Sequence, residues 1–150
     1  EDLANVIDLL AKQGEAGAIF VDYIQRIPTP PQGQRYLDIK LVSDLMLKRA
    51  VSLDIPIILG AQLNRDKTSG ARPRLDNLRE SGDIEQDASL VLGIYTEAID
   101  KREEAPQGKP IRLDPVMDTE IHVLKNRGGS AGIYKVMGFE GSIYTIKEKE

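Results

Sequence analysis

Ala18-Ile19-Phe20-Val21-Asp22-Tyr23-Ile24-Gln25 is the stretch on which the fold turns. Apolar residues run without a break into one carboxylate. A short continuous apolar run reads as a strand buried on both faces, as in a parallel sheet. Asp22 then emerges at the strand's carboxyl end, the edge where open α/β sheets bind ligands. An apolar strand ending in Asp is also the Walker B pattern, in which the acid holds a nucleotide-bound Mg²⁺. Taken alone, Asp22 reads more readily as a turn former or a helix cap.

Outward from this strand, Leu3, Val6, Ile7 and Leu10 recur at helical spacing, with Asp2 as a cap and Gly14 as a stop. On the other side, Pro28, Pro30, Pro31 and Gly33 forbid regular structure and predict a loop. Tyr36 to Leu53 is the longest helical pattern. Ile39, Val42, Met46, Ala50 and Leu53 line one face, which Leu37, Leu41 and Leu45 widen. So broad an apolar face suits a helix packed on a sheet. Ile55 to Gly60 is a second buried strand. Strand, helix and strand make a βαβ unit, and a right-handed crossover sets the strands parallel. Gln62 would then leave the sheet on the same edge as Asp22; the plain alternative is two unrelated loop polars.

Beyond it, Arg65 to Asp87 is polar and rich in Arg. It predicts a loop to Arg72, a short helix from Arg74 to Leu78, a break at Gly82 and another turn over Asp83 to Asp87. Ser89 to Tyr95 reads as a third buried strand. Glu97 to Thr119 has no sustained period and predicts an exposed loop or irregular hairpin. Glu120 to Leu124 and Ala131 to Met137 form a β-hairpin around Lys125-Asn126-Arg127-Gly128-Gly129. Ser142 to Ile146 is a last strand.

With 150 residues the chain is long enough for one domain with a sizeable core. A formal net charge of −4 rules out a general polyanion-binding surface, so any nucleic-acid contact must come from a local basic patch. There is no Cys, which excludes disulfides and thiolate metal sites and fits a reducing, cytoplasmic setting. No apolar stretch approaches the length of a membrane span, and no signal peptide is visible.

Ile19-Phe20-Val21-Asp22-Tyr23-Ile24-Gln25, Gly60-Ala61-Gln62-Leu63-Asn64-Arg65, the run from Arg72 to Ala88 that contains Arg79-Glu80-Ser81-Gly82, and Lys125-Asn126-Arg127-Gly128-Gly129 follow one another in that order. Together they resemble the carboxyl-terminal motor domain of the DnaB-type replicative hexameric DNA helicases, over most of Ala16 to Ile146. The third block is the most specific. The resemblance implies an α/β, RecA-like fold: a partly parallel sheet flanked by helices, with an antiparallel hairpin at its carboxyl end. Residues 1–150 then form a single piece of such a motor domain, truncated on its amino-terminal side.

The resemblance also implies roles. Asp22 matches the acid that acts on Mg²⁺ with ATP, and Gln62 the polar sensor between the γ-phosphate and the DNA-side loops. Arg79, Glu80 and Gly82 match the loop on the DNA backbone. Lys125 and Arg127 match the basic pair that reaches the neighbouring subunit's nucleotide. These roles suit phosphoryl transfer, which needs positioning and charge neutralisation more than covalent chemistry; a cation inserted in trans is worth about 10³–10⁵ in rate. A motor that must ignore sequence needs cations and close main-chain approach, which Arg79 and Gly82 supply.

The implied partners are single-stranded DNA, five further copies in a homo-hexamer, a primase and a helicase loader, with no membrane. The chain departs from the family in lacking a Gly-x-x-x-x-Gly-Lys-Ser/Thr loop. It begins with Glu1 and reads as a fragment that binds ATP poorly and hydrolyses none by itself. The competing reading is an ATPase-inactive RecA-fold scaffold for DNA or a partner. A recombinase or clock-type ATPase shares the fold, but the Arg79-Glu80-Ser81-Gly82 block argues against it. Asp83, Glu85 and Asp87 read as caps and Arg partners, and no structural metal is expected. His122 reads as a packed or half-exposed strand residue. Tyr95, Tyr134 and Tyr144 read as packing residues before base-stacking ones.

Overall fold

Two short parallel strands carry the first part of the chain. β1 (Ile19–Val21) and β2 (Ile57–Leu59) pair in register, Ile19 opposite Ile57 and Val21 opposite Leu59. The computed structural model describes residues 3–12, 14, 16–28, 35–63, 72–96, 116–132, 134–140 and 145–148; of these, 35–36, 79–83, 116 and 146–148 are described by their backbone alone. It contains two compact units. Glu1–Asn64 and Leu78–Ala88 form the first; Arg65–Asn77 and Ser89–Glu150 form the second.

In the first unit, α1 (Leu3–Lys12) buries Ala4 and Ile7. Gly14, at φ +70°, donates its amide to the Ala11 carbonyl at 3.1 Å just past the helix end. α2 (Arg35–Leu53) is the crossover between the strands. It ends in a Schellman motif: Asp54 sits at φ +52° and the Ile55 amide reaches the Ala50 carbonyl at 3.3 Å. Asp tolerates this left-handed position better than a branched residue does. A 3₁₀ segment, Leu75–Ser81, is kinked at Leu78 and runs straight into α3 (Gly82–Asp87). The expected break at Gly82 is therefore corrected: the kink lies at Leu78, and Gly82 starts the helix. Ser43 Oγ donates to Asp87 Oδ2 at 2.7 Å and ties α2 to α3.

Ile7, Ile19, Ile24, Ile39, Val42, Met46 and Ile84 make one core, drawn from all three helices, β1 and the turn after it. The helices meet the Ile19 side of the strand pair. Phe20, on the opposite side, is 77% exposed, and its partner Ile58 is 41% exposed. Burial on both faces, expected from the apolar run, is not found in this chain. Successive strand residues point to opposite faces, and among the described residues only the Ile19 face has a layer against it.

The second unit is an antiparallel sheet in the order β3-β4-β5-β6, built from β3 (Leu90–Tyr95), β4 (Val116–Asn126), β5 (Tyr134–Glu140) and β6 (Thr145–Glu148). β3 also corrects an expectation. Gly93 and Tyr95 are buried, whereas Leu90, Leu92 and Ile94 are exposed, so the strand is covered on one face. β4 begins four residues before the expected Glu120. On this sheet the buried hydroxyls of Thr96 and Thr119 share a hydrogen bond of 2.9 Å. The loops expected over Pro28 to Gly33, Arg65 to Arg72 and Glu97 to Thr119 lie largely outside the described residues, as do Asp2 and Tyr144.

Candidate functional site

The carboxyl ends of β1 and β2 are stitched together by two backbone bonds. The Gly60 amide donates to the Val21 carbonyl at 2.8 Å, and the Ile24 amide donates to the Gly60 carbonyl at 2.9 Å. Asp22 stands on this rim. Its Oδ1 lies 3.4 Å from where a Cβ on Gly60 would be, as do Tyr23 Cβ and the Val21 carbonyl oxygen. These are ordinary contact distances, so the rim is held by the two backbone bonds rather than by the lack of a side chain at position 60, and Asp22 is exposed on it.

Gln62 leaves the same rim three residues beyond Leu59. Gln25 fixes it there: Gln25 Nε2 donates to the Gln62 carbonyl and the Gln62 amide donates to Gln25 Oε1, both at 3.1 Å. One side-chain amide thus takes both main-chain groups of one residue, as a neighbouring strand would. Gln62 itself is exposed. The structure therefore brings Asp22 and Gln62 to one edge of a parallel pair, as the crossover argument requires. Gln25 is the residue that sequence reasoning left without a role. Its one clue was a polar amide closing an apolar run.

Lys125 and Arg127 lie in the second unit. Lys125 pairs with Val91 near the end of β4, and the Arg127 amide donates to the Ser89 carbonyl at 2.9 Å. A register shift between Val91 and Leu92 marks a bulge just below the tip. Bulges bend a strand and re-aim the side chains beyond them. Asn126 folds the tip: its Oδ1 accepts the Gly128 amide at 3.0 Å and its Nδ2 reaches the Ser130 carbonyl at 3.4 Å. Gly132, at φ +79°, donates to the Val123 carbonyl at 2.8 Å and closes the loop. Arg127 is exposed on the turn so formed.

Arg79 and Glu80 fall in the 3₁₀ segment and Gly82 opens α3; their side chains lie outside the described ones. Asn77 holds the start of the segment. Its Oδ1 accepts the Arg74 amide at 2.7 Å, and its own amide donates to the Arg74 carbonyl at 3.1 Å. Asp22 suits a magnesium–nucleotide complex, since Mg²⁺ takes one or two protein carboxylates and completes its shell with phosphate oxygens and water.

Two parallel strand ends that set an acid and an amide on one rim, joined through an α-helical crossover, define an α/β protein with a ligand-binding edge. The chain belongs to the DnaB-like helicase C terminal domain family, whose model matches residues 1–148. It is 30% identical over 141 residues to the replicative DNA helicase DnaB of Mycoplasma genitalium, covering 91% of this chain and 29% of that protein. It is 36% identical over 130 residues to a probable plasmid replicative DNA helicase of Chlamydia trachomatis, covering 85% of this chain and 25% of that protein.

Two solved structures superpose on 98% of the chain with a TM-score of 0.77 and 26% identity. One is a DnaB-like replicative helicase described with its interactions with primase, of which the chain covers 36%; the other is an ATPase domain, of which it covers 51%. The chain thus spans less than a third of the length of these curated relatives. The fold is the RecA-like α/β type expected, with the parallel pair and the antiparallel hairpin both present.

Proposed function

We propose that this chain is the carboxyl-terminal portion of the motor of an ATP-dependent replicative DNA helicase, which travels on single-stranded DNA and separates the duplex ahead of it. The observation that carries the reading is the shared rim of Asp22 and Gln62, joined by the main-chain bonds of Gly60 and held by Gln25. Asp22 holds the Mg²⁺ of bound ATP, which supplies charge neutralisation at the phosphates. Gln62 senses the γ-phosphate. Arg127, with Lys125, enters the nucleotide site of the next protomer from its hairpin tip, where Arg can meet a phosphate with two parallel hydrogen bonds. Arg79, Glu80 and Gly82 follow the DNA backbone without reading bases.

The working form is a cytoplasmic homo-hexamer, with primase and a loader as protein partners. The primase assignment is supported by the solved relative described with primase. Among the described residues no helix is long and apolar enough to cross a membrane.

A mixing experiment in the full-length protein tests the division of labour. Asp22→Asn and Arg127→Ala are each expected to abolish DNA-stimulated ATPase turnover, the second by about 10³–10⁵-fold. Mixed rings should recover turnover, because an intact acid from one variant meets an intact finger from the other. Undiminished turnover in either single variant, or no recovery on mixing, overturns the reading.

A further inference from the structure

Glu120 lies on β4, five residues before Lys125, and is nearly buried at 14% side-chain exposure. Its carboxylate is held from two sides. Arg72 grips it with two parallel bonds, Nε to Oε2 and Nη2 to Oε1, both 2.8 Å. His122 Nε2 lies 2.6 Å from Oε2. The His122 ring is in turn stacked on Tyr134, with centroids 5.1 Å apart and planes inclined by 18°. The Arg72 guanidinium sits 5.4 Å above the Tyr95 ring. Pro73, next in the chain after Arg72, is buried and packs against Gly93 of β3.

Most exposed ion pairs contribute little, but a bidentate Arg–carboxylate pair with a second donor and aromatic walls fixes distance and angle together. Arg72 stands seven residues before Arg79 and leads directly into the segment that contains it. Glu120 stands on the strand that ends in the Lys125–Arg127 tip. The pair thus joins the residue that leads into the Arg79 segment to the strand that carries the hairpin tip.

We propose that the Arg72–Glu120–His122 cluster is a positioning link that carries the DNA-bound state of the Arg79 segment to the Lys125–Arg127 hairpin and so makes ATP turnover respond to DNA. The inference rests on the assignment of that hairpin to the neighbouring nucleotide site. Arg72, Glu120 and His122 act through the hairpin and touch neither nucleotide nor DNA.

The test uses the full-length protein with oligo-dT at saturating concentration. Arg72→Ala removes the grip from a half-exposed side chain, and Glu120→Gln keeps the shape of the acid without its charge. Both are expected to leave DNA-free turnover and oligo-dT affinity near wild type, while the DNA-stimulated rate falls to the DNA-free rate. Arg72→Lys, which keeps the charge but not the fork, should retain intermediate acceleration. Full acceleration in Arg72→Ala and Glu120→Gln overturns the link. So does a fall of DNA-free and stimulated turnover in equal proportion, which marks a purely structural pair. Arg127→Ala separates this from the finger assignment: it should remove both rates, and if it leaves both intact the finger reading itself has failed.

Discussion

Three glycines should respond to alanine in different directions, and the structure sets each sign. A Cβ on Gly93 would meet Pro73 Cγ at 2.7 Å, Pro73 Cβ at 2.8 Å and Leu124 Cδ1 at 3.0 Å. All three fall well inside the roughly 3.5–4.0 Å optimum of a carbon pair. Two of those atoms belong to a rigid, buried ring, so relief requires the Pro73 backbone or β3 to move. Overpacking of this kind costs about 1–3 kcal/mol, of which the lost freedom of the unfolded glycine offsets about 0.4–1 kcal/mol. The middle of both ranges leaves a net loss of about 1.3 kcal/mol, and at roughly 2–4 °C per kcal/mol for a chain of this size Gly93→Ala should lower Tm by about 3–5 °C.

Gly17 has no atom within 4 Å of its Cβ position and no positive φ. There only the unfolded-state effect remains, and Gly17→Ala should raise Tm by about 1–4 °C. Gly14 also has open space but sits at φ +70°. Left-handed backbone costs a residue with a Cβ about 1–2 kcal/mol, so Gly14→Ala should lower Tm despite meeting nothing. Thermal unfolding of the 150-residue chain followed by circular dichroism measures all three. A Gly93→Ala protein as stable as wild type, or a Gly17→Ala protein less stable, would refute the packing and backbone argument.

Gln25→Ala removes two bonds to the Gln62 main chain at an exposed site, which should cost about 1 kcal/mol and lower Tm by roughly 2–4 °C; an unchanged Tm would show that the clamp contributes nothing. Arg79→Ala in the full-length protein should weaken oligo-dT binding and reduce the slope of log K against log salt by about 0.7; an unaltered slope, read by fluorescence anisotropy, takes Arg79 off the DNA path. The Arg72 guanidinium holds Glu120 below its ordinary pKa of 4.5, burial works against this, and His122 assists it. A carboxyl depressed in the folded state stabilises fully above its unfolded pKa and loses that contribution as pH falls through the folded one. The Tm advantage of wild type over Glu120→Gln should therefore be constant at neutral pH and disappear in acid below about pH 4; a gap that widens in acid contradicts the sign. Asn126→Ala should speed hydrogen exchange of the Gly128 amide by about five- to tenfold, the effect of losing roughly 1 kcal/mol, and unchanged exchange would place the order of the tip elsewhere.

The parallel pair was legible because its evidence is local: two apolar runs, a helix long enough to cross over, and a handedness rule. Hydrophobic period told which residues avoid water but not what covers them. Phe20, Ile58, Leu92 and Ile94 read as core and are exposed in this chain, because periodicity describes a strand and burial needs a second layer. Gly82 read as a break because glycine commonly ends helices, yet glycine also occurs, less often, where one begins, and here it opens α3 while the chain kinks at Leu78. The two side-chain clamps were invisible for another reason. Gln25 and Gln62 are 37 residues apart, and Arg72 and Glu120 are 48 apart. No short-range pattern joins such partners; only the paired strands do.

Three of the segments assigned to chemistry are held by an Asn or Gln that bonds to main chain. Gln25 takes both main-chain groups of Gln62, Asn77 caps the start of the Arg79 segment, and Asn126 folds the turn that bears Arg127. An amide suits this work because it offers both a donor and an acceptor and carries no charge. A carboxylate in the same place could accept from a main-chain amide but could not donate to a carbonyl, and it would also oppose the arrival of a phosphate. The functional side chain is thereby left to meet its ligand while its backbone is already ordered, which lowers the entropy lost on binding. The Arg72–Glu120 pair departs from this pattern, being charged and bidentate. It sits below the tip on β4, where a link needs stiffness and where no phosphate has to approach.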